Sequence, residues 1–552
     1  MKGRRLDTRA QELIAQHRQE VDQLIDLAEA DLSRGRLRSA AARVQSAARY
    51  AWYSHPGVFR DERMERLTAA LGSTLAPGRR ASYDVAGHLV HVATQAYRQG
   101  GHTRLIHRWM TSDPARTHSL VLTGQQGVPV PDELSEAVAA SGGRVIDLGG
   151  SSDLMERARQ LRGLAESAPQ AIVLHIHPYD VVPSIALQDA APPTVLLNHA
   201  DHVFSLGFDV ADLVADIRPA GQRLSLAARG VRPEQTTVLP LPLTPPPASS
   251  RAAARTKLGI PDDAVVLTSI ASAYKFGAPE GRHFVDVHRE VVRRHPNLHI
   301  VVAGPTDTGR WAELAAESDG RVRALGVIAD VDDLYAAADI YIDSMPFASL
   351  TSLLDAALRG LPVLALTGRI THTVLSSDDI SLAGSGVQFA EPEPYLRELE
   401  ELITRADHRD QVGAARRAAV AHDHVPPAWS RRVASLLDEI PRAAAGAPEA
   451  HAVAPIANDR ATMSWITDEL VRFQIASGLS EPVWQAQLRD APYLPFAARV
   501  RLLSAAPPSA RMGGASFLLP DALRSRIKTG MRRLRGRPTS DKRRRPPASR
   551  IN

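Results

Sequence analysis

The chain has 552 residues, of which 44% are apolar and 23% charged, and it has no cysteine. These values are ordinary for a globular protein with several cores. The lack of cysteine excludes disulfides, Cys-ligated zinc, iron–sulfur clusters and cysteine nucleophiles. The basic start, Met1–Arg5, runs into charged helical sequence without the apolar core of a signal peptide, so a cytoplasmic setting is expected. No apolar run is long enough to span a bilayer.

The formal charge of +5 is concentrated near the C-terminus. Residues 524–550 hold twelve Lys or Arg and one acid, which leaves the rest of the chain net negative. This split argues against a nucleic-acid partner. Apolar residues recur every three or four positions among these charges: Leu523, Ile527, Met531 and Leu534. The segment 524–545 is therefore expected to be either a solvated, partly disordered tail or a peripheral contact with an anionic membrane surface at its inner face.

Residues 1–80 have a helical pattern. Apolar residues form one stripe at spacings of three and four: Val21, Leu24, Ile25 and Ala28. Gly35 interrupts the pattern before helical composition resumes at Ala40. The region predicts a helical hairpin.

From residue 81, short apolar runs alternate with amphipathic helical segments. The runs are predicted strands: His88–Val92, Leu120–Thr123, Val145–Leu148, Ile172–Ile176, Val195–Leu197, Leu213–Ile217 and Val238–Leu241. Such alternation predicts a Rossmann-like domain, with a parallel sheet covered on both faces, over residues 81–243. The Pro/Ser/Ala-rich stretch Pro242–Ser250 is typical of a linker.

Residues 251–424 repeat the alternation. Their predicted strands are Val265–Ile270, Ile300–Ala303, Val322–Leu325, Ile340–Ile342 and Val363–Leu366. The sequence thus predicts an α/β fold of two tandem doubly wound domains, with a closing helix at 425–442. The C-terminal extension, 443–552, has little pattern: a helix is predicted at 463–475, and 495–508 is expected to be loose.

One loop of the second domain has the features of a diphosphate site. A strand ends at Asp343 and a helix begins near Ser349. First-turn N–H groups have no intrahelical acceptors, and the hydroxyls of Ser349, Thr351 and Ser352 add donors. Asp355 follows on the same helix face, where its carboxylate can accept two hydrogen bonds from ribose hydroxyls. The alternative is a Ser/Thr N-cap followed by an ordinary first-turn acid.

A second loop, Ala271–Gly277, follows the first strand of the same domain and contains Lys275. Parallel strands place such loops at the carboxyl edge of the sheet, where ligands bind. The ammonium group of Lys275 can there neutralise phosphate charge as a nucleotide departs. The alternative is a solvated surface lysine.

These loops resemble the C-terminal half of GT-B glycosyltransferases, in particular the O-linked N-acetylglucosamine transferase-like group. In that group an Asp ends a strand, a Pro-aromatic-Asn-Gly-x-Thr-Thr loop follows, and a second Asp falls twelve residues after the first. Ala348-Ser349 replaces the Asn-Gly pair here. The positions that match are Asp343, Pro346-Phe347, Thr351-Ser352 and Asp355, together with Tyr274-Lys275 and Gly326–Ala329.

The resemblance implies roles for further residues. The backbone at Val327 and Ala329 would face the nucleotide base, and Gly304 would form a neighbouring wall. The glutamate pair of retaining GT-B enzymes is not kept, since Phe347 and Asp355 stand at its two positions. The resemblance therefore implies an inverting mechanism with a nucleotide-sugar substrate, UDP-linked, and with no cofactor or metal.

The first domain carries the candidate acceptor side. Gly100, Gly101 and His102 follow its first strand, where a Gly-rich turn lets backbone approach a donor sugar or acceptor in GT-B folds. Paired glycines alone are also common at tight turns. His199 and Asp201 follow the strand Val195–Leu197.

An inverting transferase needs a base for the acceptor hydroxyl, and a histidine has a suitable pKa. We therefore expect His199 to be the base or a sugar contact, with Asp201 second. The alternative for His199 is that it only lines a loop. Arg218 ends a further strand and is placed to meet phosphate or sugar, or is a plain surface arginine.

The sequence predicts a glycosyltransferase that moves a sugar from a nucleotide-sugar to a glycan, a lipid-linked glycan or a protein, as in polysaccharide biosynthesis. Two alternatives remain open. The same paired domains serve nucleotide-sugar epimerases and polyol-phosphate transferases. The replaced Asn-Gly pair also leaves a non-catalytic scaffold as an alternative.

Overall fold

The N-terminal region folds as three helices. The computed structural model describes residues 7–76, 87–98, 101–167, 169–188, 192–276, 283–367, 375–445 and 460–507. The Asp7 carboxylate caps the first helix by accepting a hydrogen bond from the Ala10 N–H at 3.1 Å. The predicted apolar stripe of this helix is buried. The predicted hairpin is confirmed, and a third helix extends it: α1 (Thr8–Ser33), α2 (Leu37–Tyr53) and α3 (Glu62–Ser73).

The first domain contains seven parallel strands in the order β3-β2-β1-β4-β5-β6-β7. The strands are β1 (His88–Ala93), β2 (Thr117–Leu122), β3 (Val145–Asp147), β4 (Ala171–His175), β5 (Thr194–Asn198), β6 (Leu213–Asp216) and β7 (Thr236–Val238). The connecting helices are α4 (Gly101–Ser112), α5 (Asp132–Ala140), α6 (Leu154–Ala165), α7 (Val181–Ala186) and α8 (Pro219–Ala228). Helices cover both faces, which is why the central strands are mostly apolar, although histidines occur in β1, β2 and β4.

The second domain contains six parallel strands in the order β10-β9-β8-β11-β12-β13. The strands are β8 (Val265–Ile270), β9 (Leu298–Ala303), β10 (Val322–Ala324), β11 (Ile340–Ile342), β12 (Val363–Leu366) and β13 (Gln388–Phe389). The helices are α9 (Arg251–Leu258), α10 (Phe284–Arg294), α11 (Arg310–Glu317), α12 (Asp332–Ala337), α13 (Leu350–Leu358), α14 (Pro392–Thr404) and α15 (Ala406–His424). Together the two sheets form the predicted α/β architecture of tandem Rossmann-like domains.

A long helix, α16 (Ala428–Ala445), returns from the second domain to the first. Trp429 at its start is buried and meets Trp109 of α4 edge to face, with ring centroids 5.5 Å apart. The Trp429 Nε1–H donates to the Pro240 carbonyl at 2.7 Å, and the Ser430 hydroxyl donates to the Ser112 carbonyl at 2.6 Å. The domains are therefore joined both by the linker and by this helix.

The C-terminal extension completes the N-terminal helical region. It contains α17 (Arg460–Ala476), α18 (Val483–Asp490) and α19 (Phe496–Ala505). The buried Asp490 carboxylate accepts hydrogen bonds from Arg49 at 2.9 and 3.0 Å and from Gln45 at 2.9 Å, which fixes α18 against α2.

The expectation that residues 495–508 are loose is wrong for 496–505, because Leu502 and Leu503 pack inward and stabilise α19. Among the described helices, none combines the length and apolar composition needed to cross a bilayer. The predicted basic segment 524–545 lies outside the described residues.

Candidate active site

The loops at the carboxyl ends of the two sheets meet across the domain boundary. The tip of α13 faces the start of α4: a Cβ placed on Gly101 would lie 4.0 Å from Thr351 Oγ1. His202, after β5, meets the Phe347 ring at a centroid distance of 4.9 Å. Ligands of doubly wound domains bind at this edge, so the predicted diphosphate loop borders the gap between the domains.

Asp343 organises the loop between β11 and α13. Its Oδ1 accepts hydrogen bonds from the backbone N–H groups of Ser344 and Ser349, both at 2.8 Å, and its Oδ2 accepts one from the Ser377 hydroxyl. Burial raises the pKa of Asp343, while the hydrogen bonds from Ser377 and Ser349 oppose that rise. The carboxylate thus fixes the position at which α13 begins.

The first turn of α13 presents hydrogen-bond donors to the gap. The Ser349 N–H is used by Asp343, whereas the N–H groups of Leu350, Thr351 and Ser352 precede the first intrahelical bond, which runs from Leu353 to Ser349. The Ser349 hydroxyl donates to the Ser352 hydroxyl at 3.2 Å. At 9 residues, α13 is long enough to have a helix dipole. Its positive end and the first-turn N–H groups, which have no intrahelical acceptor, can together bind a phosphate.

Lys275 approaches the same loop from the turn after β8. Its Nζ donates to the Ala348 carbonyl at 2.9 Å and lies 4.6 Å from the centroid of the Phe347 ring. Burial lowers the pKa of Lys275 to about 8, and the Asp343 carboxylate opposes that shift. The lysine is half-buried, so it is not a freely solvated side chain.

Asp355 is the predicted residue whose surroundings differ most from expectation. It is buried, and both carboxylate oxygens accept hydrogen bonds from Arg108 Nη2 of α4, at 3.0 and 3.3 Å. Arg104 Nη1 lies 3.9 Å from the same carboxylate. The predicted ribose acceptor therefore binds an arginine of the other domain.

The three residues predicted near the base lie on neighbouring loops. Gly304 has a φ of 116°, and a Cβ there would lie 1.7 Å from the Ala271 carbonyl oxygen, so glycine lets the loop after β9 touch the loop that carries Lys275. Val327 and Ala329 are exposed beyond the end of β10, Val327 at 80%. Their contact with a base remains a prediction.

Asp201 and Arg218 form a buried ion pair on the first domain. Arg218 Nε and Nη2 donate to the two Asp201 oxygens at 2.6 and 2.8 Å, and Arg218 Nη1 donates to the Ser376 carbonyl of the second domain. Burial alone would raise the pKa of Asp201, but the charge of Arg218 outweighs it and holds the pKa below its ordinary value. Arg218 is thus an interdomain contact rather than a plain surface arginine.

His199 packs beside His102, with ring centroids 4.6 Å apart. Its Nδ1 lies 3.3 Å from the Leu197 carbonyl, which can only accept, so Nδ1 carries the proton and Nε2 has a bare lone pair. Burial lowers the pKa of His199 to about 4. The predicted base is therefore neutral at neutral pH and is oriented by a carbonyl, not by Asp201.

Of the predicted Gly-rich turn, Gly100 lies outside the described residues.

A row of three fully buried histidines runs behind this pair. Ring nitrogens are 2.9 Å apart between His118 and His91, and again between His91 and His175. His118 Nε2 must donate to the Asp113 carbonyl at 2.8 Å, which fixes the tautomer of each ring in turn. The row ends at His175 Nδ1, a buried lone pair with no hydrogen-bond partner among the described residues. Burial lowers the pKa of all three histidines, which favours the neutral imidazole in each.

This histidine cluster predicts an acid-sensitive fold. Burial lowers the pKa of His177 to about 3 and that of His199 to about 4. Because unfolded histidines titrate near 6.5, stability is full above that pH and is lost as pH falls towards the folded values. We expect each such histidine to cost about 2 kcal/mol at pH 5, measured by urea unfolding between pH 7 and pH 5.

The matched controls for this acid sensitivity are two single substitutions. His177→Gln should flatten the pH dependence of unfolding, whereas His422→Gln, at a histidine whose side chain is 81% exposed, should leave it unchanged. A wild-type stability that is constant from pH 7 to pH 5 would contradict the lowered pKa values of His177 and His199.

Several residues of the site gave no sequence signal. Arg108 and Ser377 were not predicted, although they bind Asp355 and Asp343. Phe473 of α17 packs against Phe347 at a centroid distance of 5.2 Å, so the C-terminal extension also reaches the loop. An Arg in the second turn of α4 is an ordinary helix residue until its partner is known.

The described residues contain one group of side chains with metal-ligand spacing: Glu398, Glu401 and His408. They lie on α14 and α15, and His408 Nε2 is 3.1 Å from a Glu398 oxygen. These residues are not on a loop that follows a strand, and they take no part in the contacts described for the cleft.

The fold is that of GT-B glycosyltransferases. A glycosyltransferase from Rickettsia africae matches 65% of this chain and 100% of its own, with 12% identity and a TM-score of 0.51. Anabaena HepE in complex with UDP and glucose matches 63% of this chain and 99% of its own, with 17% identity and a TM-score of 0.47. The O-GlcNAc transferase of Thermobaculum terrenum matches 78% and 85%, with 14% identity and a TM-score of 0.47. No family model and no curated protein matches the chain.

Proposed function

We propose that the protein is a glycosyltransferase that takes its sugar from a nucleotide-sugar, with the diphosphate bound at the tip of α13. The observation that carries this proposal is that the first turn of α13 faces Gly101 across the domain boundary while the Lys275 ammonium binds the loop that precedes this turn. Fixed N–H dipoles and a positive charge at a departing diphosphate act without reorganisation in a partly buried site. The neighbours with UDP support a UDP-sugar as donor.

On the donor side, each residue has one role in this proposal. The Thr351 and Ser352 groups bind diphosphate oxygens, and Lys275 neutralises the charge that develops as the bond from the anomeric carbon to the phosphate oxygen breaks. Asp355 binds the ribose hydroxyls once they replace Arg108. Val327, Ala329 and Gly304 border the base. Because Lys275 and the helix tip supply the positive charge, this arrangement needs no metal or cofactor.

On the acceptor side, His199 is the better candidate for the base. The acceptor hydroxyl attacks the anomeric carbon on the face opposite the diphosphate, and its proton passes to the bare lone pair of His199 Nε2. Asp201 is a poorer base because, despite its burial, the charge of the Arg218 guanidinium and its two hydrogen bonds hold the pKa of Asp201 below the ordinary value. This step inverts the anomeric centre, and it leaves His102 as a sugar contact beside His199.

A nucleotide screen tests the donor site. We expect one of UDP, GDP, CDP and ADP to raise the thermal midpoint, since a ligand at 100 times its Kd stabilises a protein by about 2.7 kcal/mol. The measurement is a thermal shift with each nucleotide, with inorganic pyrophosphate as control for the diphosphate alone.

Product analysis with the matching nucleotide-sugar then separates transfer from epimerisation and from polyol-phosphate transfer. Stabilisation by none of the four nucleotides would contradict the donor site and favour a scaffold.

A further inference from the structure

The ring of Phe347, in the loop before α13, is contacted by two distant parts of the chain. The Lys275 ammonium lies 4.6 Å from its centroid. The Phe473 ring of α17 lies 5.2 Å from the same centroid, at an interplanar angle of 39°. Tyr274, next to Lys275, has its ring centroid 6.0 Å from that of Phe347 and 6.5 Å from that of Phe473. The C-terminal extension therefore packs on the ring that Lys275 contacts.

Phe473 is buried in an apolar cluster to which both domains and the N-terminal region contribute. Phe347 packs against this cluster, whose other buried members are Phe59, Leu224, Ala228, Leu375 and Leu470. The Leu375 carbonyl accepts a hydrogen bond from the Ala348 N–H at 2.8 Å, and the Ala348 carbonyl is the acceptor for Lys275. The cluster is thus joined to the lysine both through the ring of Phe347 and through the backbone of Ala348.

Helix α17 is itself attached to the N-terminal helices. The Gln474 Oε1 accepts a hydrogen bond from the His55 N–H at 3.1 Å, and the Asp468 Oδ1 accepts one from the Asp7 N–H at 2.9 Å. At its C-terminal end, the Ser477 hydroxyl donates to the Tyr274 carbonyl at 3.3 Å. The helix therefore connects the N-terminal helices to the turn that carries Lys275.

The surroundings of the Lys275 ammonium combine apolar packing with three ionisable groups. Burial is the main cause of the lowered pKa of Lys275, the Asp343 carboxylate opposes it, and the charge of Arg218 adds to it. His202, after β5, is the third group: burial lowers its pKa, and the charge of Lys275 adds to that decrease. Because burial outweighs these charges, the apolar packing around Phe347 controls the ionisation of the lysine.

We propose that Phe473 is a positioning residue for sugar transfer: it holds the Phe347 ring against the Lys275 ammonium and so keeps that ammonium on the loop before the diphosphate site. Truncation of Phe473 would leave a cavity into which Phe347 can turn, and water would then reach the ammonium. The role rests on the proposed function, in which Lys275 acts on the departing diphosphate. The C-terminal extension is then a working part of the donor site.

The first test is the pH dependence of nucleotide release by Phe473→Ala, with the nucleotide-sugar that the thermal screen selects. We expect the rate at pH 7 to fall by about tenfold or more, because a small displacement of a charged group is costly to catalysis. The alkaline limb, expected near pH 8 in the wild type, should move to higher pH because the lysine is hydrated. Phe473→Leu keeps most of the apolar bulk and should restore both the rate and the limb.

The matched control is Phe208→Ala, which removes a ring of similar burial from the core of the first domain. Phe208 is 6% exposed and Phe473 is 3% exposed. Both variants should have a lower thermal midpoint, but Phe208→Ala should keep the wild-type alkaline limb. A limb that stays in place in Phe473→Ala, or that moves equally in Phe208→Ala, overturns the proposal.

A second measurement follows Lys275 without any nucleotide. The rate of acetylation of Lys275 by trace acetic anhydride, read by mass spectrometry across pH, reports the pKa of its amine. We expect the pKa to rise in Phe473→Ala towards the ordinary value of about 10.4. Equal pKa values in the variant and the wild type overturn the proposal. A raised pKa in a protein that no nucleotide stabilises would instead uphold the packing role of Phe473 and contradict the donor site.

Discussion

Replacing Lys275 with Met should lower the rate of sugar transfer by about 10²–10³-fold while the protein stays folded. The ammonium group is the only side-chain cation that the structure brings within hydrogen-bond distance of the loop before α13 among the described residues, through Ala348. Without it, the departing diphosphate keeps its charge in a partly buried site. The measurement is release of nucleotide from the nucleotide-sugar that the thermal screen selects.

The control for this substitution is Lys257→Met. Lys257 is an exposed lysine that pairs with Asp333 on the second domain, so its loss should leave turnover unchanged. Lys275→Met also removes the countercharge of Asp343, and a thermal midpoint within a few degrees of the wild type shows that the loop survives. Equal turnover in the two variants would contradict the role of Lys275.

The pKa of Lys275 predicts how the rate of sugar transfer depends on pH. Burial lowers that pKa to about 8, and only the protonated form neutralises phosphate, so turnover should fall as pH rises through about 8. Lys275→Arg keeps its charge over this range. If the variant retains measurable turnover, its alkaline limb should move to higher pH, whereas an unchanged limb would assign the ionisation to another group.

The sequence was informative where the signal is local. Strands buried on both faces of a parallel sheet are rich in apolar residues, and six of the seven strands of the first sheet overlap a predicted run by three residues or more. The run Val238–Leu241 was placed too late in the chain, since β7 (Thr236–Val238) shares only Val238 with it. Asp343 and the hydroxyls at the start of α13 lie within one strand–loop–helix unit, so their spacing is readable without any knowledge of the rest of the fold. By contrast β13, with two residues, is too short to have a period.

The partners of the site residues were not predictable, because they come from distant parts of the chain. Arg108 is 247 positions from Asp355, and Arg49 is 441 positions from Asp490. Nothing in the sequence around Asp355 shows whether its carboxylate binds ribose hydroxyls or an arginine. The same limit applies to Asp201, which was expected to be the second candidate for the base and which instead forms an ion pair with Arg218.

These pairings change the interpretation of the domain boundary. A nucleotide-binding edge is usually pictured as open until its ligand arrives, yet here Arg108 and Arg218 both cross to the second domain. Each contact uses a group that the sequence assigned to ligand. Ligand binding and domain contact therefore compete for the same side chains. The energetic balance is set mainly at the buried pair of Asp355 and Arg108, since the ion pair of Arg223 with Asp378, which also joins the domains, is more exposed.

Breaking the ion pair of Asp355 and Arg108 should lower the stability of the protein substantially. Both side chains are about nine-tenths buried, and removing one partner of a buried ion pair costs about 3 kcal/mol or more, since the other charge is left without compensation. We expect Asp355→Ala and Arg108→Ala each to lower the free energy of unfolding by this amount. The double variant should lose less than the sum, because no charge remains unpaired.

Nucleotide binding separates the two members of this pair. If Asp355 binds ribose, Asp355→Ala abolishes the thermal shift with nucleotide, while Arg108→Ala preserves or increases it because the carboxylate no longer has a competitor. Arg104, 3.9 Å from Asp355, supplies part of the missing countercharge in that variant. If both single variants lose the shift equally, Asp355 acts as an interdomain anchor alone, and the ribose must be bound by other groups at the tip of α13.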